Sequence, residues 1–257
     1  MKDENIKTDL RVGLEKESFI LEYFRWISSL KIKYNGRVLY CLRIERLIKS
    51  ILFSKSWIDS SSKSDLPPDF HNDRHHIMME MMRIDDCSGR KHDPNSFTKT
   101  TNLIKRYFGE DYREILKDSY LHAIPDTSND NNFNFKGYFR NFERVLTNHS
   151  KKVNGYRKNY PKCKTCVLFV CDESNAYYQQ IDNSEKKIIH LCFCDKKFIE
   201  IIKQCEADYV VWFTIYKTIL NDKNKIIRQP LACIYDVKHL RHPGIEFDHS
   251  KMIKVKY

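Results

Sequence analysis

Apolar positions follow two different rhythms along this chain, and the change falls near residue 160. In "ESFILEYFRWISSLKIKY", Phe19, Ile20, Tyr23, Phe24, Ile27 and Leu30 recur three or four apart. That spacing puts them on one face of a helix. Asn35-Gly36 interrupts it, and "RVLYCLRIERLIKSILF" repeats it with Leu39, Leu42, Leu47, Ile48 and Ile51. The pair predicts a helical hairpin. Residues 59–69, "DSSSKSDLPPD", read as a polar loop. A helix is predicted over about 72–84, a loop over 85–97, helices near 98–108 and 110–120, and a loop over 125–134. "FKGYFRNFERVLTNHSKKV" predicts one more helix.

Beyond residue 160 the apolar runs become short and rich in Val, Ile, Phe, Tyr and Trp. "CVLFVCDES", "KIIHLCFCD", "ADYVVWFTIY" and "PLACIYDVKHL" read as buried strands. "KKFIEIIKQC", between the second and third, carries Phe198, Ile199, Ile202 and Cys205 at helical spacing. The expected class is therefore α/β or α+β, a helical N-terminal portion followed by a mixed-sheet α/β core. Its expected ranges are a helical hairpin at 1–58, a helical region with polar loops at 59–160, and an α/β sheet region at 161–257.

Composition narrows the function. The chain has 257 residues, enough for a sizeable core, and 41% of them are hydrophobic, which excludes a disordered chain. Seven glycines and the absence of GxxxxGK[ST] and GxGxxG argue against a glycine-rich phosphate loop. The net charge of +11 suits a polyanion, either nucleic acid or an anionic membrane surface, and nucleic acid is the expected partner. A generally lysine-rich coding bias would give the same balance. Nine cysteines, irregularly spaced and often inside apolar runs, suit packing in a reducing compartment. No apolar stretch approaches the ~20 residues of a membrane span. A soluble cytoplasmic protein without a membrane partner is expected.

Three acids stand out. Asp172 ends "VLFVC" and Asp195 ends "HLCFC", with Lys197 two residues on. Glu80 sits at the edge of an apolar arc of Ile77, Met78, Met81 and Met82 on the helix expected there. Strand-end carboxylates brought together could hold Mg²⁺ through oxygen ligands. A nearby lysine could position water or neutralise developing charge. The competing reading makes Asp195 the cap of the following helix, a role Asp favours, and leaves Lys197 in solvent.

With these residues the chain resembles the PD-(D/E)XK nuclease superfamily, whose common core runs helix, three strands, helix, strand. The resemblance covers roughly 166–216 and one upstream helix. It implies metal-dependent cleavage of nucleic acid, with Glu80 as the helix acid, Asp172 as the strand acid and Asp195-x-Lys197 as the last motif. Asp172, Asp195 and Glu80 would hold Mg²⁺ or Mn²⁺, and Lys197 would assist the attacking water. Glu143 is a nearer alternative for the helix acid, and Asp236-x-Lys238 is a rival to the last motif. Nucleases of this kind serve in restriction and phage defence.

Other groups compete for attention. His71 and His75, and likewise His76 and Glu80, are four apart, and either pair could share a helical face and bind a metal. Asp85 and Asp86 could add ligands. Cys163-x-x-Cys166 has zinc-ribbon spacing, but Cys192-x-Cys194 is a poor second half, so zinc is not the expected ion. From Arg144 to Cys171 the chain carries no acid. There Lys151, Lys152, Arg157, Lys158, Lys162 and Lys164 could meet phosphates, and Tyr156 and Tyr160 could stack on bases. The reading is a nuclease. The alternative is a non-catalytic nucleic-acid-binding or interaction subunit that docks a protein partner through its N-terminal helices.

Overall fold

The computed structural model describes residues 18, 20–21, 24–25, 38–39, 54, 56–61, 66–84, 135–172, 174, 177–181, 187–220 and 226–254. Its centre is a mixed sheet of β1 (Val38–Leu39), β2 (Ile58–Asp59), β3 (Phe70–Asn72), β4 (Ile77–Ile84), β5 (Thr165–Asp172), β8 (Tyr209–Leu220) and β9 (Ile226–Asp236). The strand order is β1-β9-β8-β5-β4-β3-β2. β4, β5 and β8 run parallel, β9 returns antiparallel on β8, and β3 and β2 return antiparallel on the other side. A second sheet, ordered β10-β6-β7, joins β6 (Tyr177–Gln180), β7 (Lys187–Ile189) and β10 (Met252–Lys254).

Alternation along the parallel strands makes two faces. Met78 and Met82, Cys166, Leu168 and Val170, and Val210 and Trp212 face α1 (Phe135–Ser150), α2 (Val153–Asn159) and α3 (Lys196–Lys203). Met79 and Met81, Val167 and Phe169, and Val211 and Phe213 face the opposite layer, where Ile20, Leu21 and Phe24 are buried. The Phe24 ring meets Phe169 and Phe213 edge-on, with centroids 5.1 and 5.6 Å away.

The mixed α/β core agrees with expectation, and so do the strands at β5, β8 and β9 and the helices α1 and α3. The helix expected over 72–84 does not form. Residues 77–84 are β4, and His76, at φ 55, lies in the turn that joins β3 to it. The reason is burial on both faces: in "IMMEMMRI" every residue but Arg83 is buried, which erases the two-residue alternation. The helical N-terminal portion is not established. Ser18, Ile20, Leu21, Phe24 and Arg25 are helical, but Val38 and Leu39 pair with Ala232 and Cys233 as an edge strand, where a second helix was expected. The rest of that hairpin, the helices near 98–108 and 110–120, the loops at 85–97 and 125–134, and Asp85 and Asp86 lie outside the described residues. One sheet takes strands from all three sequence ranges.

"KIIHLCFCD" is also not one strand. Lys187–Ile189 belong to the small sheet, and Cys192–Cys194 form a single 3-10 turn before α3. In chain order, β5, β6 and β7 precede α3 and β8. Yet β5 pairs directly with β8, and the segment leading to Asp195 lies outside the main sheet.

Candidate metal centre

Each predicted acid has its own set of partners. Asp172 is 1% exposed at the end of β5. Its Oδ2 accepts from Tyr138 Oη at 2.7 Å and Trp212 Nε1 at 3.0 Å, and its Oδ1 from the Ser174 amide at 2.9 Å. Burial, then the Asp172 charge, pushes the Tyr138 phenol well up, so Tyr138 remains a donor. Glu80 is buried in mid-β4, where it pairs across the strands with Leu168. Asp172 lies four residues further along, roughly 13 Å at strand rise. Glu80 Oε1 instead meets His149 Nδ1 at 2.9 Å. Glu143 is exposed on α1. No ligand atoms of Glu80, Asp172 and Asp195 fall together within 4.8 Å.

Asp195 caps α3: its Oδ1 accepts the Lys197 amide at 2.9 Å. The Lys197 side chain, expected to assist an attacking water, is exposed on the first turn of α3. In the rival motif, Asp236 meets His239 Nδ1 at 2.8 Å and Lys238 Nζ reaches Asp208 at 3.5 Å.

The second oxygen of Asp195 forms the site. Oδ2 lies 2.8 Å from His190 Nε2 and 2.7 Å from His249 Nε2. His190 follows β7, Asp195 opens α3, and His249 begins a 3-10 turn in the C-terminal segment. Phe247 and Phe135 meet the His190 ring edge-on, with centroids 4.8 and 5.0 Å away, and Phe139 meets His249 at 5.2 Å. His190 is fully buried, whereas the His249 side chain is 14% exposed and forms the outer edge. Burial acts to raise the Asp195 carboxyl, but hydrogen bonds from His190 and His249 outweigh it and hold the carboxyl down at about 2. The site therefore keeps a carboxylate with two imidazole nitrogens aimed at it.

His190, Asp195 and His249 could hold a metal ion, since one ligand atom from each lies within 4.8 Å of the others. With a proton on each Nε2, the imidazoles are donors to Oδ2. Without those protons the same nitrogens are ligands. Sequence reasoning included Asp195 but missed both histidines. His190 sits only five residues before it, inside "KIIHLCFCD", whereas His249 sits 54 after it, a separation no local motif encodes.

The remaining candidates disperse. His71 is on β3 and His76 in the turn, where His76 Nδ1 meets the Lys162 carbonyl at 3.0 Å, so the helical pairs His71/His75 and His76/Glu80 do not exist. Cys163 and Cys166 are buried free thiols. Lys151, Lys152, Lys158, Lys162 and Lys164 are exposed, and Lys162 meets Asp73 at 3.4 Å. Arg157 is half-buried and pairs with Asp208 at 3.2 Å. Tyr156 is 2% exposed, which corrects its expected role as a stacking platform. Tyr160 packs on His71 at 4.4 Å and donates to the Leu66 carbonyl at 2.9 Å.

Comparison of the chain with family models, with curated proteins and with solved structures gives no match. Among the described residues, no helix is long and apolar enough to cross a membrane.

Proposed function

We propose that the protein is a metal-dependent hydrolase of nucleic-acid phosphodiesters, with His190, Asp195 and His249 as its metal ligands. The observation that carries this reading is the convergence of two imidazole nitrogens on one carboxylate oxygen, from three separate segments. The donor set favours Mn²⁺ over Mg²⁺: imidazole suits transition ions, whereas Mg²⁺ takes oxygen ligands and keeps its waters. A divalent ion there would lower the pKa of a bound water and stabilise charge on a phosphate. Support for the substrate class comes from the +11 net charge and the exposed lysines between 151 and 164. Restriction or phage defence is a fitting setting for such an activity.

A second reading rests on the 2.7 and 2.8 Å contacts themselves. Asp195 would then be a structural knot that ties β7, α3 and the C-terminal segment, in a protein that binds nucleic acid or a partner without cutting.

Titration of the protein with Mn²⁺, Mg²⁺ and Zn²⁺ by calorimetry, beside plasmid and RNA cleavage with each ion, separates the two. The metal reading expects Mn²⁺ to bind with one site per chain, affinity to fall at least tenfold in His249→Ala, and cutting to fall with it. No binding by any ion, with nucleic acid bound but uncut, leaves the structural knot.

A further inference from the structure

Glu80, His149 and Tyr156 form a polar cluster at the far end of α1, away from the candidate metal centre. Phe135, beside His190, and His149 are fourteen residues apart on this helix, about 21 Å. Glu80 projects from β4 and is 7% exposed, and its Oε1 lies 2.9 Å from His149 Nδ1. A carboxylate at that distance favours a proton on Nδ1, and in the neutral ring of that tautomer Nε2 carries the lone pair. Nε2 makes no hydrogen bond among the described residues, and the ring is 23% exposed. The Tyr156 hydroxyl, from α2, lies 3.3 Å from Nδ1. Burial and then the Glu80 charge push its phenol up, so it stays protonated. Among the described residues Glu80 Oε2 is buried with no hydrogen bond of good geometry, and the Tyr156 phenol is the donor that faces this carboxylate.

Charge around the cluster favours an anionic ligand at the exposed ring. Lys151 and Lys152 follow His149 in the exposed turn between α1 and α2. The other titratable neighbours, Asp69 before β3 and Cys166 on β5, act on Tyr156 from the buried side. A histidine that reaches solvent through Nε2, backed by a buried carboxylate and flanked by lysines, is suited to proton transfer next to a phosphate.

We infer that Glu80, His149 and Tyr156 form a second, metal-independent site that cleaves single-stranded RNA. The inference rests on the nucleic-acid part of the function proposed above and not on the metal. Without a metal to activate water, the available nucleophile is the ribose 2′-hydroxyl, already positioned beside its own phosphate. His149 Nε2 takes the 2′-hydroxyl proton, the 2′-oxygen bonds to phosphorus, and the bond from phosphorus to the 5′-oxygen breaks. The imidazolium returns the proton to that leaving oxygen, which gives a 2′,3′-cyclic phosphate and a free 5′-hydroxyl. Glu80 and Tyr156 are positioning residues.

The test uses end-labelled single-stranded RNA, the matching DNA, and RNA with one 2′-deoxy position, all in excess chelator. Wild type should leave cyclic phosphate ends on RNA, spare the DNA and skip the deoxy position. His149→Gln should lower the rate by about 100-fold or more while RNA affinity is kept, and Glu80→Gln should lower it less and move the pH profile. RNA left intact by wild type in chelator, or DNA cut as fast as RNA, overturns the inference whatever the variants do. Full activity in a folded His149→Gln variant overturns it as well. Loss of chelator-resistant cutting alone leaves the Mn²⁺ reading standing. Loss of Mn²⁺ binding alone leaves this site standing.

Discussion

Asp195 and Glu80 show how much a single residue discloses and how much it withholds. Both were recognisable from sequence as acids interrupting apolar runs, and both are buried. Most of their partners were not recognisable, because His249 and His149 reach them by tertiary contact, while His190 lies five residues from Asp195 but meets it only once the chain turns into α3. The cap role of Asp195 was legible, since Asp before a helical stretch is a local signal. The described cysteines are free thiols that are buried or half-buried, as packing inside apolar runs implied. Burial pushes the thiols of Cys166, Cys205 and Cys233 up to about 12. At pH 8 about one in 10⁴ of each would be thiolate, so alkylation should be about 10³-fold slower in the native than in the unfolded protein, as mass spectrometry of labelled peptides can show. Because these folded-state values are raised, the stability they bring is complete below the unfolded thiol range near 9. It is lost as pH climbs towards 12, and the urea midpoint should fall between pH 8 and pH 10.5.

Elements were legible where one local rule dominated. α1 was, because its apolar stripe meets one sheet face and its other side is wet. β4 was not, because a strand buried on both faces carries no alternation, and four of its apolar residues also fit a helical arc. The segment at 188–195 read as a strand because it is apolar, yet it leaves the small sheet and turns so that Asp195 can open α3. The C-terminal segment is fastened there by backbone: the Ile245 amide donates to the Cys194 carbonyl, and the Lys196 amide to the Ile245 carbonyl. Gly244 makes that approach feasible. Its φ is +85, and a Cβ on it would stand 2.4 Å from Lys196 Cα. Gly244→Ala should cost about 1–3 kcal/mol and deprotect the Ile245 and Lys196 amides in hydrogen exchange before the β5 amides.

At the scale of the whole molecule the sheet works because both faces are covered. Ile20, Leu21 and Phe24 seal the face opposite α1 and α3, so these residues are core and not a free docking surface. Phe24→Ala should cost about 3–5 kcal/mol, read as a lower urea midpoint. By itself the sequence determined that the chain is basic, that it has a mixed α/β core, and where α1, α3, β5, β8 and β9 run. Each of these is written in periodicity or composition over a short window. Only the tertiary structure decided that 77–84 is a central strand, that Asp172, Glu80 and Asp195 each answer to different partners, and that His190 and His249 close on one oxygen. Those outcomes depend on which segments lie side by side. Contacts between residues as far apart as 195 and 249 are set by packing of the whole sheet, which no local window contains.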